Sequence, residues 1–403
     1  MYQPSKKILR RYADVLVNFA LGHGKGIKKG EVVFISIPEV ANPLLVELQT
    51  AILKAGGHFI LSHEPGNDQF NFSENFFEHA NKTQLTFVPK KYFRSIIDEC
   101  DHVLRIWGET NKQALKNIDP KKIQIHEGVR KTFLNWMLEE ENKGKISWTI
   151  ALYGTLDLAK EAGISLASCW KQIIRACFLD KKNPVAEWKK VDQKVKKIAK
   201  RLNSLPMDRL HMKGPDVDLW IRLGEKRKWA SGGGVNLPSF EVFTSPDWRG
   251  TEGWIRFNQP LYGNGNRIEG IRLEFKNGKV VRATAKKNEK FLKAMVAVKN
   301  ADKVGEFSLT DGRHSRIEKF MAETLYDENR VGKYGNTHIA LGMAYRFCYT
   351  GKASQVSEKE WKRLGYNRSI VHSDIVSTAP RKVTAYLKNG REKVIYNQGS
   401  FVL

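Results

Sequence analysis

The chain has 403 residues, more than one hydrophobic core usually serves, so two domains are expected. With 41% hydrophobic and 28% charged residues it is not a disordered chain, and it has no apolar run of about eighteen residues, which excludes a membrane-spanning helix. Its 68 basic and 43 acidic residues give a formal charge of +25. The lysines come as scattered pairs such as Lys28–Lys29 and Lys121–Lys122, a pattern of solvated surface that argues against a nucleic-acid partner.

The first twenty residues are charged throughout and lack a signal-peptide core, which points to the cytoplasm. Lys6 to Leu21 reads as an amphipathic helix with Leu9, Tyr12, Leu16 and Phe19 near one face. The glycines at 22, 24 and 26 follow that helix, so they read as a cap and turn, not as a phosphate loop. Strand-like runs at 31–38, 58–61, 102–108 and 147–154 alternate with helical segments such as 42–57, which predicts a largely parallel sheet. Cys100, Cys169, Cys177 and Cys348 form no CxxC and read as buried free thiols.

The texture changes near 180–205. A charged helix over 185–203 carries Val185, Trp188, Val191, Val195, Ile198 and Leu202 along one stripe. Strands then dominate, at 216–224, 239–246 and 252–262, with hairpins turning at Asn277–Gly278 and Asn389–Gly390. The expected fold class is therefore α/β plus α+β. An N-terminal strand–helix domain (1–190) precedes a C-terminal α+β domain (191–403) with antiparallel hairpins.

The candidate chemistry lies in the second half. Asn336 and Thr337 can cap a helix opening with His338, on which Tyr345, seven residues on, points the same way. His372 and Asp374 share one face of a strand-like run, and imidazole beside carboxylate suits a borderline divalent metal. Glu241, in LPSFEVFTSP, and Glu306, in KVGEFSL, sit in short strands. Glu252, Glu328 and Arg249, next to these blocks, are further charged candidates. Trp248, Trp254, Phe257 and Tyr262 read mainly as core, with one or two as possible walls of an apolar pocket. His211 and His314 have no partner pattern.

The ordered blocks LPSFEVFTSP, TEGWIRFNQPLYGNG, IEGIRLEFKNGKVVRATA, VGEFSL, TLYDENRVGKYGNTHIALGMAY and VHSDIVST resemble the thermophilic metalloaminopeptidase family. The resemblance covers essentially everything after about residue 205. It implies a two-metal site with Glu241, Glu306, His338, Tyr345, His372 and Asp374 as ligands. Glu306 would bridge both ions, and Glu306 and Tyr345 would be the catalytic pair; how the others divide between the ions stays open. The implied cofactors are two divalent ions (Zn, Co or Mn), the implied substrates peptides with a free N-terminus, and the implied assembly a homodimer. Phe240 departs from the family pattern and bears on pocket shape, and the long approach DENRVGKYGNT departs from it too and bears on substrate preference. The alternatives are another dinuclear amide hydrolase (a dipeptidase or amidase) and a basic nucleic-acid-associated protein with a vestigial site.

Overall fold

Runs such as VVFISIP are apolar at nearly every position, as strands buried on both faces require. In the computed structural model, which describes residues 2–66, 70–263 and 266–403, they build a five-stranded sheet. The strand Val32–Pro38 lies between His58–Glu64 and His102–Trp107, Ser147–Leu152 follows, and Asn236–Leu237 closes the edge. Every pairing is parallel.

Ser5 caps the helix Lys6–Val15 by accepting from the Ile8 N–H, and the helix buries Leu9, Tyr12, Ala13 and Val15. A wider turn over Leu16–Ala20 leads into Gly22, Gly24 and Gly26, all at positive φ, so the glycines make a turn and no phosphate loop. The helix Asn42–Lys54 ends at Gly56, also at positive φ.

The chain divides into two compact units, Met1–Lys189 with Gly233–Pro238, and Lys190–Gly232 with Ser239–Leu403. The boundary falls inside the helix Pro184–Asn203. The short return at 233–238, which carries the fifth parallel strand, belongs to the first unit although it lies in the half read from sequence as the second domain.

The second unit is antiparallel throughout its two large sheets. An eight-stranded sheet contains both Asn-Gly hairpins, with Asn277 and Gly278 at positive φ as a tight hairpin turn demands. A five-stranded sheet runs His372–Ser377, Asn336–Gly342, Val304–Thr310, Glu241–Thr244, Ala230–Ser231 in spatial order. The two share one hydrophobic cluster, joined by Val242, Phe307, Leu309, Ile339, Leu341 and Ile375 from the smaller sheet and Leu210, Leu219, Ile221 and Val383 from the larger. The pair Asn264–Gly265 of the YGNG block lies outside the described residues.

One expectation is overturned. Residues 336–342 form a strand between two others, not a capped helix, and Tyr345 lies beyond its end, ahead of a short turn at Arg346–Cys348. The helical reading failed because every residue of this strand is buried, which removes the alternation of polarity that marks a half-exposed strand.

Candidate metal centre

Side chains directly opposite one another in a sheet share a face, as do residues i and i+2 along a strand. Glu306 pairs with Ala340 and Ala340 with Asp374, while Ser308 pairs with His338 on one side and Phe243 on the other. His372 lies opposite Gly342, and Glu241 opposite Thr310. Glu241, Glu306, Ser308, His338, His372 and Asp374 therefore occupy one face, drawn from four adjacent strands. The intervening residues, Val242, Phe307, Ile339 and Ile375, point into the core and fix the register, since a one-residue slip would bury the acids there. A register shift between Val304 and Glu306 adjusts where Glu306 points. Only glycine fits at 305, because an added Cβ would lie 2.2 Å from the Met343 carbonyl oxygen.

On this face His338 Nε2 lies 3.2 Å from Glu306 Oε1, 3.3 Å from Glu241 Oε2 and 3.8 Å from Asp374 Oδ1. His372 Nε2 lies 3.4 Å from Asp374 Oδ1 and 4.0 Å from Glu306 Oε2. Two overlapping triads result, Glu241–Glu306–His338 and Glu306–His372–Asp374, each with its ligand atoms within 4.8 Å of one another. Glu306 belongs to both.

Each imidazole is held from behind. His338 Nδ1 meets the Glu328 carbonyl oxygen at 3.2 Å and His372 Nδ1 meets that of Met343 at 2.9 Å. A carbonyl only accepts, so Nδ1 carries the proton on both rings and Nε2 faces the carboxylates, the tautomer a metal ligand needs. The Ser308 hydroxyl donates to Glu241 Oε2 at 2.7 Å and that of Ser239 to Oε1 at 3.3 Å.

Burial sets the electrostatics. Glu241, Glu306, His338 and Asp374 are 6, 4, 1 and 8% exposed. Burial, then the Glu306 charge, pushes Glu241 up to about 7. Burial opposes the charged form of His338, but the Glu306 hydrogen bond and the Glu241 and Asp374 charges outweigh it and raise the ring to about 9. His372 rises to about 9 in the same way, chiefly through Asp374, which in turn is held below the usual carboxylate range. Three clustered acids thus favour positive charge at both imidazoles. Two imidazole nitrogens and three carboxylates with no thiolate suit borderline divalent ions. Cys348 is no exception, since burial and then the Glu306 charge push its thiol up to about 12.

Tyr345 borders the cluster, its ring centroid 4.8 Å from that of His372, and its backbone N–H donates to Ser245 Oγ at 2.8 Å. Burial and the Glu306 and Asp374 charges hold its phenol well above 10, so it remains an O–H donor. Glu328 is buried beside the site, where its charge also acts on that phenol.

Other sequence candidates lie elsewhere. Glu252 accepts from the Asn277 N–H and braces a hairpin of the eight-stranded sheet. Arg249 forms a two-pronged ion pair with Asp247 and reaches the Arg363 carbonyl. Trp254 lies under Arg272, Trp248 under Lys303, and Phe257 is in the core. His211 stacks on Trp220 and pairs with Asp218. Sequence reasoning passed over Ser308 and Phe243, although their even spacing from Glu306 and Glu241 places them on the same face once strands are assumed.

A family model described as thermophilic metalloprotease (M29) matches residues 5–401. Aminopeptidase PepS of Streptococcus thermophilus is 29% identical, the alignment covering 99% of this chain and 98% of that protein. Aminopeptidase 2 of Geobacillus stearothermophilus is 26% identical over 98% of each, and aminopeptidase T of Thermus aquaticus 27% over 72% of this chain and 74% of its own. The solved structure of wild-type AmpT from Thermus thermophilus has the same fold, with a TM-score of 0.83 at 23% identity, covering 99% of this chain and 100% of that one.

Proposed function

The chain belongs to the thermophilic metalloprotease (M29) family, and from that premise we propose that it is an aminopeptidase whose centre is the pair of triads sharing Glu306. The observation that carries this reading is the overlap itself. Three buried carboxylates converge on two imidazoles whose tautomers are fixed by backbone carbonyls. Glu241, Glu306 and His338 would hold one divalent ion, and Glu306, His372 and Asp374 a second, with Zn, Co and Mn as the ions the donors suit. Such ions would supply Lewis-acid polarisation of the scissile carbonyl and lower the pKa of a water towards ~7.

The rest of the chemistry belongs to the chain's own residues. Glu306 sets the spacing of the two half-sites. The Tyr345 hydroxyl, kept protonated, donates to the oxygen on which negative charge develops. Glu328 is the adjoining carboxylate suited to the substrate's terminal amine or to proton transfer. Depth in the sheet face keeps bulk water from competing for these groups. The reading includes peptides with a free N-terminus as substrates, a homodimer, and a cytoplasmic setting consistent with four buried free thiols.

The test is hydrolysis of leucyl- and arginyl-anilides, dipeptides and amino-acid amides by protein stripped with a chelator and refilled with Zn, Co or Mn. Turnover of the anilides and peptides, restored by metal and abolished in Glu306→Ala, is expected. Turnover of amides alone, or undiminished turnover in Glu306→Ala, contradicts the reading.

A further inference from the structure

The cluster is not equally closed on all sides. Glu241, Glu306, His338 and Asp374 are buried, whereas the His372 side chain is 17% exposed and Tyr345 and Phe243 are both partly exposed. These three partly exposed rings border the buried triads. They form a continuous aromatic edge, with Phe243 and Tyr345 centroids 6.1 Å apart and Tyr345 and His372 4.8 Å apart, each pair strongly inclined.

Phe243 belongs to the strand Glu241–Thr244. It lies two residues from Glu241 and directly opposite Ser308, whose hydroxyl bonds to Glu241, so the ring stands on the metal-site face. Its cross-strand neighbour on the other side is Ala230, whose methyl leaves the flank of the ring uncrowded. A partly exposed aromatic ring on this face offers contact area to an apolar group.

We infer that Phe243 is a specificity-determining residue, forming a wall of the subsite for the substrate's first side chain and selecting apolar residues of leucine or phenylalanine size over glycine. The inference rests on the aminopeptidase reading. It concerns discrimination between first residues, not the hydrolytic step.

The experiment compares kcat/KM for leucyl- and glycyl-anilides, and inhibition constants for leucinol and ethanolamine, in metal-loaded wild type, Phe243→Ala and Phe243→Leu. Phe243→Leu keeps an apolar side chain and guards against misfolding of the smaller variant. An apolar subsite contact is worth about tenfold or more in discrimination. The leucyl-to-glycyl ratio, and the leucinol preference, should fall about tenfold in Phe243→Ala and less in Phe243→Leu. Ratios within about twofold of wild type in both variants overturn the subsite while leaving the aminopeptidase reading standing. A wild type inert towards every anilide overturns both.

Discussion

Ser308→Ala perturbs one half of the centre and spares the other. Ser308 is fully buried, and its hydroxyl donates at 2.7 Å to Glu241 Oε2, the oxygen that also faces His338. Alanine removes one oxygen and nearly preserves volume, so little cavity strain is added. A hydrogen bond to a charged acceptor contributes about 1.5–3 kcal/mol. At about 1.4 kcal/mol per factor of ten, the Glu241–Glu306–His338 triad should bind its ion about 10–100-fold more weakly. The range agrees with the ~10–100-fold typical of lost partners behind metal ligands. The triad Glu306–His372–Asp374 contains no Ser308 partner and should change much less. Competition against a chromophoric chelator, titrated to resolve two affinities, reads both at once, with thermal unfolding as the folding control. Equal weakening of both sites, or no change in either, would refute the assignment of Ser308 to Glu241.

Three further outcomes follow from the same geometry. Gly305→Ala places a Cβ 2.2 Å from the Met343 carbonyl oxygen, so backbone must move; chelator competition should show both affinities reduced. Glu252→Ala removes the acceptor of the Asn277 N–H in the eight-stranded sheet, outside both triads. It should cost about 1–2 kcal/mol, ~2–4 °C in Tm, with metal affinity intact; a lost ion would return Glu252 to the site. Glu141, half-buried with Trp148 Nε1 donating to it at 2.9 Å, is pushed up to about 7 by burial. A raised carboxyl favours the fold fully below its unfolded pKa of 4.5, and that advantage is lost as pH rises to about 7. Glu141→Gln should therefore stabilise the protein by about 2–3 kcal/mol at pH ~8.5 and by almost nothing at pH ~4, measured by denaturant unfolding.

Much of this architecture is legible in the chain. Strand–helix alternation reports a parallel sheet because βαβ connections need helices on both faces. Asn277–Gly278 reports a hairpin because two consecutive positive φ values exclude most other residues. The buried site strand was not legible. Between two neighbours and under a covered face, NTHIALG has no polar alternation, and Asn-Thr before a histidine imitates a helix cap. The acids were singled out by motif order, whereas the groups that hydrogen-bond to the cluster were not. Ser308 and the Glu328 and Met343 carbonyls act through register and loop path, which leave no residue-type signature. Glu252 and Arg249 failed as site candidates for the converse reason: closeness to Glu241 in sequence did not survive the turn into the eight-stranded sheet.

Metal stoichiometry tests the central claim most directly. Stripped wild-type protein titrated with zinc should take up two equivalents per chain, and Glu306→Ala, which removes the one carboxylate common to both triads, should weaken both together. One equivalent in the wild type, or two undiminished equivalents without Glu306, would contradict a centre built around that residue.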